Sequence, residues 1–372
     1  MSSPLDRLDQ IIRDVVSPAA PEVDRAGAYP SAGVEALRRA GLLGLLSAPA
    51  VGGAGEGPRA AVAVVERLAR ACASTAMVTC MHYAGAAVIE RYGEEAVRRA
   101  VASGAHLSTL AFSESGSRSH FWAPVGTARL AADGVHLTAS KSWVTAASHA
   151  TAYVWSSGDT GATGASTIWL VPRDAPGLRV GHGFDGLGLR GNDSCPVSAD
   201  DVVVPEASRL HVDGGGLAVM LEVVLPLFCA MNAACSVGIM ERAVAGTVAH
   251  VTATRHEHLG TTLADLPTLR AYVARMKIAT DQARLLLDDT VAAIEQGRPD
   301  AMLRVLESKA AAGESATQVT DLAMRVCGGA AFRREAGVER AFRDARAATV
   351  MAPTTDQLYD FLGKALCGLP VF

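Results

Sequence analysis

The chain is most easily approached through what it is short of. Among 372 residues, charged side chains make up only 19% and the formal net charge is -4. No basic excess exists to build a nucleic-acid-binding surface. The seven cysteines, at 72, 80, 195, 229, 235, 327 and 367, show no metal-type pairing, and most sit in apolar runs. Reduced, buried thiols in a cytoplasmic protein are expected, with no metal. The N-terminus MSSPLDRLDQIIRDVV is polar and amphipathic, unlike a signal peptide. No uninterrupted apolar run reaches the roughly 18–20 residues of a membrane span. The longest, Leu217 to Ile239, is broken by Glu222, Pro226 and Asn232, and reads as a buried bundle helix. Repeats and low-complexity segments are also missing.

What is present is apolar and ordered: 49% of residues are hydrophobic, enough for two or three domain-sized cores. Residues 1–105 carry helical spacing in "VEALRRAGLLGLL" and in the run from Pro58 to Gly93, separated by the loop 48–58. From 106 to 212 the texture turns to short β-branched and aromatic runs, among them "ATAYVWSSG" and "STIWLVP". A tight turn at Asp133-Gly134 joins two of these strands. From 213 to 372 the helical pattern returns, over 217–254, 264–297, 300–327 and 336–366, which predicts a four-helix bundle. The fold class is mostly α with a central β-domain.

Two stretches of the β-domain carry chemistry. "LAFSESGSRSH", 110–120, ends a strand in a hydroxyl-rich loop that offers donors to a polar heterocycle or a phosphate. "ASKSWVTAAS", 139–148, sets Trp143 and Thr145 two apart on a strand, so both are expected on one face. An indole beside a hydroxyl suits a flat ring with a polar edge. An ordinary Ser-rich turn and a half-buried β-pair are the plainer readings.

Together these stretches resemble the acyl-CoA dehydrogenase superfamily, which binds FAD. That family has a Thr-Glu-Pro-Gly-x-Gly-Ser-Asp loop and a Lys-x-Trp-Ile-Thr strand. Here the loop runs Ser113-Glu114-Ser115-Gly116-Ser117-Arg118-Ser119-His120 and the strand Lys141-Ser142-Trp143-Val144-Thr145. "LGLRGNDSCPVSADDVVVPE" (187–206), "GIMERAV" and "VCGGAAFRREAGVERAFRDAR" extend the likeness over nearly the whole chain. The resemblance implies an N-terminal helical domain, a middle β-barrel-like domain and a C-terminal four-helix bundle. It also implies an FAD-dependent oxidoreductase acting on an acyl thioester, of CoA or of a carrier protein.

On the same resemblance, Ser113, Trp143 and Thr145 line the flavin ring, and Thr354 and Thr355 approach it from the bundle. Arg255, one residue out of register, and Arg325-x-x-Gly328-Gly329, with arginine in place of glutamine, would hold a neighbouring subunit's cofactor. A dimer or tetramer follows, with an electron-transfer flavoprotein or a flavin reductase as redox partner. Arg118 and Ser119 would meet the substrate. Arg118 suits an anionic phosphopantetheine or a carboxylated substrate, and reads equally as a surface arginine. Glu339, Arg340, Arg343 and Asp344 are read as an ion-pair network between helices.

One family feature is missing. The carboxylate that removes the substrate's α-proton has two usual positions, and these carry Ala352 and Phe228. A displaced base would come from Asp356, His120, Glu114 or Glu222. Asp356 reads equally as a helix-capping carboxylate, and an unpaired Glu222 in an apolar helix would be costly. The alternatives are a flavin monooxygenase of the same fold and a redox-neutral flavoprotein.

Overall fold

The computed structural model describes residues 4–118, 120–161 and 163–371. Ser119 therefore lies outside the described residues. The N-terminal third is helical, and its two longest helices are Pro58–Ala71 and Ala73–Tyr92. Pro58 sits at the first helical position, where its missing N–H costs nothing. The run 58–93 is thus two helices, broken at Cys72, whose backbone is extended (φ -146°, ψ 104°). "VEALRRAGLLGLL" is helical only to Arg39.

The middle domain contains seven strands: β1 Ser108–Ala111, β2 Thr127–Ala131, β3 Gly134–Val144, β4 Ala152–Gly158, β5 Ser166–Pro172, β6 Leu178–Val180 and β7 Cys195–Val204. They form two sheets, ordered β1-β4-β5 and β2-β3-β7-β6. β1 runs parallel to β4, and the other pairs are antiparallel. β2 and β3 form the expected hairpin, but its turn residues are Ala132 and Asp133, one position earlier than the sequence suggests; Gly134 already pairs with Ala131 as the first residue of β3. Inward-facing Tyr153, Trp155, Trp169 and Val171 from one sheet pack on Val135, Leu137, Val197 and Val202 from the other. β3 and β7 largely alternate buried and outward residues, the ordinary logic of stacked sheets, whereas β1 and β4 are buried on both faces.

The C-terminal bundle is built on Leu225–Ala253, Pro267–Gln296 and Ala301–Cys327. The segment Gly216–Ala253 is long and apolar enough to cross a membrane. It instead packs on Pro58–Ala71 and on the other two long bundle helices, as the centre of the core. Gly238 is required there, because a Cβ would meet the Glu66 carbonyl oxygen at 2.4 Å. The fourth segment, 336–366, is not one helix. It divides into Val338–Ala345, Ala347–Val350 and Thr355–Leu366. Pro353 explains the break: it lacks an N–H and keeps Ala352 out of helical geometry.

The domains are tied together by charge as well as by apolar surface. Arg343 grips Asp24 of the N-terminal helices through two bonds, of 2.8 and 2.6 Å, and also pairs with Glu339 at 2.6 Å. The carboxylate of Asp344 accepts from the Leu189 N–H at 2.7 Å. Burial pushes Asp344 up to about 6. Gly188 passes so close that a Cβ would meet the Arg343 carbonyl oxygen at 2.3 Å.

Candidate functional site

A cavity of about 740 Å³ opens where the β-domain, the bundle and the N-terminal helices meet. Its β-domain wall is polar, with Ser113, Ser142, Thr145, Asn192 and Ser194. Its bundle wall is apolar, with Val224, Leu225, Phe228, Val350 and Met351.

The polar wall rests on one buried ion pair. Lys141 on β3 and Glu114 just beyond β1 are both fully buried, and the ammonium donates to the Glu114 carboxylate at 2.5 Å. Glu114 also accepts from the N–H groups of Val125 and Gly126, at 2.7 and 3.0 Å. Lys141 gives its remaining bonds to the Ser156 carbonyl oxygen and hydroxyl, at 2.6 and 3.0 Å. Desolvation pulls this ammonium down to about 8 against the pull of Glu114. The Ser142 N–H donates to the Ser113 carbonyl at 2.9 Å, joining the hydroxyl loop to the tryptophan strand.

Trp143 and Thr145 do not share a strand face in the expected way. β3 slips register between Lys141 and Val144, and Trp143 takes a left-handed φ of 56°. Such a bulge re-aims a side chain. Trp143 is 60% exposed and stacks on Phe184, with ring centroids 4.0 Å apart, whereas Thr145 is buried. Both still line the cavity.

The bundle wall ends in Ala352 and Pro353, and Phe228 lines the cavity from Leu225–Ala253. Ala352 and Phe228 therefore face the space with side chains that cannot accept a proton. Of the four replacement candidates, only Glu114 lines the cavity, and both its oxygens are committed. Asp356 is exposed in the first turn of Thr355–Leu366, and the helix cap is Thr354, whose hydroxyl accepts from the Gln357 N–H at 3.3 Å. An acidic residue in a first turn complements the helix dipole. His120 is exposed, its Nδ1 3.2 Å from the Ser117 carbonyl and its ring edge-on to Trp122. Glu222 is 58% exposed and pairs with Arg91 at 3.2 Å, so it is neither buried nor unpaired. None of the four offers the cavity an uncommitted proton acceptor.

Other predicted residues are dispersed. Arg118 lines the cavity mouth with a left-handed φ of 49° and has no side-chain partner among the described residues. Thr354 and Thr355 do not line this cavity; Thr355 is buried, and its hydroxyl has no partner among the described residues. Arg255, Arg325, Gly328 and Gly329 lie on the exposed surface and do not line this cavity. The Arg325 guanidinium rests over the Tyr272 ring at 4.9 Å. Sequence reasoning missed Phe184, Asn192 and Lys309. Lys309 left a readable signal: a cation inside an apolar helical stripe, with no acid three or four residues away.

A slot with a polar wall, an apolar wall and a tryptophan at its rim has the shape and chemistry to hold a flat heterocycle against an apolar ligand. The hydroxyl-rich loop suits the edge of an isoalloxazine ring. The comparisons agree. Residues 5–105, 109–202 and 214–367 match the N-terminal, middle and C-terminal domains of acyl-CoA dehydrogenase. Cyclohex-1-ene-1-carbonyl-CoA dehydrogenase of Geobacter metallireducens is 28% identical over 97% of this chain and 96% of its own. Human mitochondrial short-chain specific acyl-CoA dehydrogenase is 29% identical over 91% of this chain and 83% of its own. The structure of butyryl-CoA dehydrogenase from Megasphaera elsdenii superposes with a TM-score of 0.92 at 23% identity, covering 99% of both chains. The chain belongs to the acyl-CoA dehydrogenase superfamily, and it is an FAD-dependent oxidoreductase of that type.

Proposed function

We propose that this enzyme oxidises an acyl thioester in the 740 Å³ cavity without a carboxylate at either usual base position. The observation that carries the reading is the cavity's lining: Ala352 and Phe228 face it, and the one acid among the described lining residues, Glu114, is locked to Lys141. Bound FAD would supply the electron acceptor. Ser113, Trp143 and Thr145, which line the cavity, would hold its ring. The apolar bundle wall excludes water and seats the acyl chain. Arg118, unpartnered at the mouth, would meet an anionic part of the substrate, such as a phosphopantetheine phosphate or an acyl-chain carboxylate. The proton has no acceptor at the two usual positions, so its removal limits the rate.

Arg255, Arg325, Gly328 and Gly329 stand outside this cavity, which favours a role toward a neighbouring copy's cofactor in a dimer or tetramer. An electron-transfer flavoprotein would take the electrons onward. The cysteines are free, and all but Cys367 are buried, which fits a reducing cytoplasm.

The same lining supports a second reading, since a dry cavity without a strong base also suits a flavin monooxygenase. Anaerobic mixing separates the two. Bleaching of the flavin by an acyl-CoA thioester, such as butyryl-CoA or octanoyl-CoA, supports oxidation. No bleaching, together with a need for a flavin reductase and oxygen, supports oxygenation.

A further inference from the structure

Lys309 sits in the helix Ala301–Cys327, 1% exposed, with Val305, Leu306, Ala312 and Gly313 at the positions three and four away. Among the described residues no carboxylate pairs with its charge. Its Nζ donates to the carbonyl oxygens of Pro353 at 2.7 Å, Ala348 at 3.1 Å and Met351 at 3.1 Å. An ammonium has three donors and no acceptor, and here all three donors are used. The three carbonyls belong to one short stretch, 348–353, which turns the chain from Ala347–Val350 into Thr355–Leu366. That stretch also supplies Val350, Met351, Ala352 and Pro353 to the cavity wall.

Burying an ammonium without a counter-charge is expensive. The cost shows in the group itself, which desolvation pulls down to about 8, with only the buried thiols of Cys229 and Cys80 opposing. A methionine would fill the same volume without that penalty. What methionine could not do is hold three carbonyls of a turn at fixed distances from a rigid helix.

We propose that Lys309 is a positioning residue for the reaction, acting through residues 348–353 to fix the cavity wall that carries Ala352. The tether sets how closely Met351, Ala352 and Pro353 approach the bound cofactor and substrate. Thr354 secures the far end of the same stretch by capping the next helix. The proposal rests on this cavity being the reaction site, and not on which reaction occurs there.

The test uses the FAD-loaded enzyme with Lys309→Met and Lys309→Gln. Two readouts need no substrate: backbone hydrogen–deuterium exchange over residues 347–358, and the visible circular dichroism of the bound flavin. Lys309→Met should accelerate exchange in that stretch about ten-fold or more, the scale of one lost charge-assisted hydrogen bond, and should alter the flavin dichroism. The helix Leu225–Ala253 and the β-domain should exchange as before. Lys309→Gln, with two shorter-reaching N–H donors, should fall between. Exchange that rises evenly across the bundle with unchanged dichroism would make Lys309 an ordinary core residue and overturn the proposal, as would no change at all. Should neither variant fold, native-state exchange of the wild-type enzyme decides. Residues 347–358 should open only together with Ala301–Cys327, and their opening alone would contradict the tether. Failure of every thioester to bleach the flavin would count against the proposed function and leave these outcomes intact.

Discussion

Two lysines, Lys141 in the β-domain and Lys309 in the bundle, face the same problem and solve it differently. Both are fully buried, and both are pulled down to about 8 by desolvation. Lys141 has a carboxylate partner, Glu114, and the pair fixes the loop that forms the polar wall. Lys309 has only carbonyl dipoles, and it fixes the turn that forms the apolar wall. The ion pair brings a second charge into the interior, where it is safe only while both members are present. The carbonyl cage leaves no orphaned charge behind when its lysine is removed. The polar wall should therefore be brittle and the apolar wall adjustable.

The largest effect expected is that of Lys141→Met. It would strand the buried Glu114 carboxylate and cost about 3–5 kcal/mol in urea unfolding of the FAD-free protein. Adding Glu114→Leu should restore most of that loss, because no unpaired charge then remains. A double variant as unstable as the single would show that the pair's value lies elsewhere than in mutual neutralisation.

Acid should reveal a second effect, nearly as large. His82 and His106 are buried between the N-terminal helices and β1, and desolvation pulls each down to about 4. Unlike the lysines, they stay neutral at pH 7. Unfolding releases them to the ordinary value of 6.5. Below that value the unfolded chain binds more protons, so stability falls as pH drops from 6.5 toward 4. The loss is on the order of 3 kcal/mol per histidine. Asp344, raised to about 6, works the other way and returns part of the loss between 6 and 3.8. Urea midpoints taken across this range should decline toward acid. His82→Gln, which keeps a donor for the Leu43 carbonyl and an acceptor for the Ser108 N–H, should flatten the decline.

Lys309→Met should cost less than Lys141→Met, about 1–2 kcal/mol, because lost hydrogen bonds are partly offset by relief of a buried charge. A loss equal to that of Lys141→Met would erase the distinction between the two walls. The smallest effect belongs to Asp356→Asn. Its carboxylate is exposed in a first helical turn, so only a few tenths of a kcal/mol of stability should change, with turnover unaltered.

Much of this was legible because the signals were local. The hairpin near Asp133, to within one residue, the order of helices, strands and helices, and the hydroxyl loop all follow from neighbouring residues. Glu114 and Lys141 were both visible in the motifs, but their pairing across 27 positions was not. The shared face of Trp143 and Thr145 failed because strand alternation assumes no bulge, and register slips arise from the partner strand. The last helix broke at Pro353, a signal present in the sequence but outweighed by the apolar spacing around it. Lys309 was missed because its partners are carbonyls, which side-chain patterns do not record.

The proposed function places thioester oxidation in a cavity with no base of its own at the wall Lys309 holds. Anaerobic flavin reduction by a panel of acyl-CoA thioesters, in the wild-type enzyme and in Ala352→Glu, tests it most directly. Reduction should be slow in the wild type and about 10²–10⁴-fold faster in the variant, as a well-placed general base typically supplies. Rapid reduction in the wild type that Ala352→Glu leaves unchanged or slows would contradict it, since a working base would then stand somewhere other than this wall.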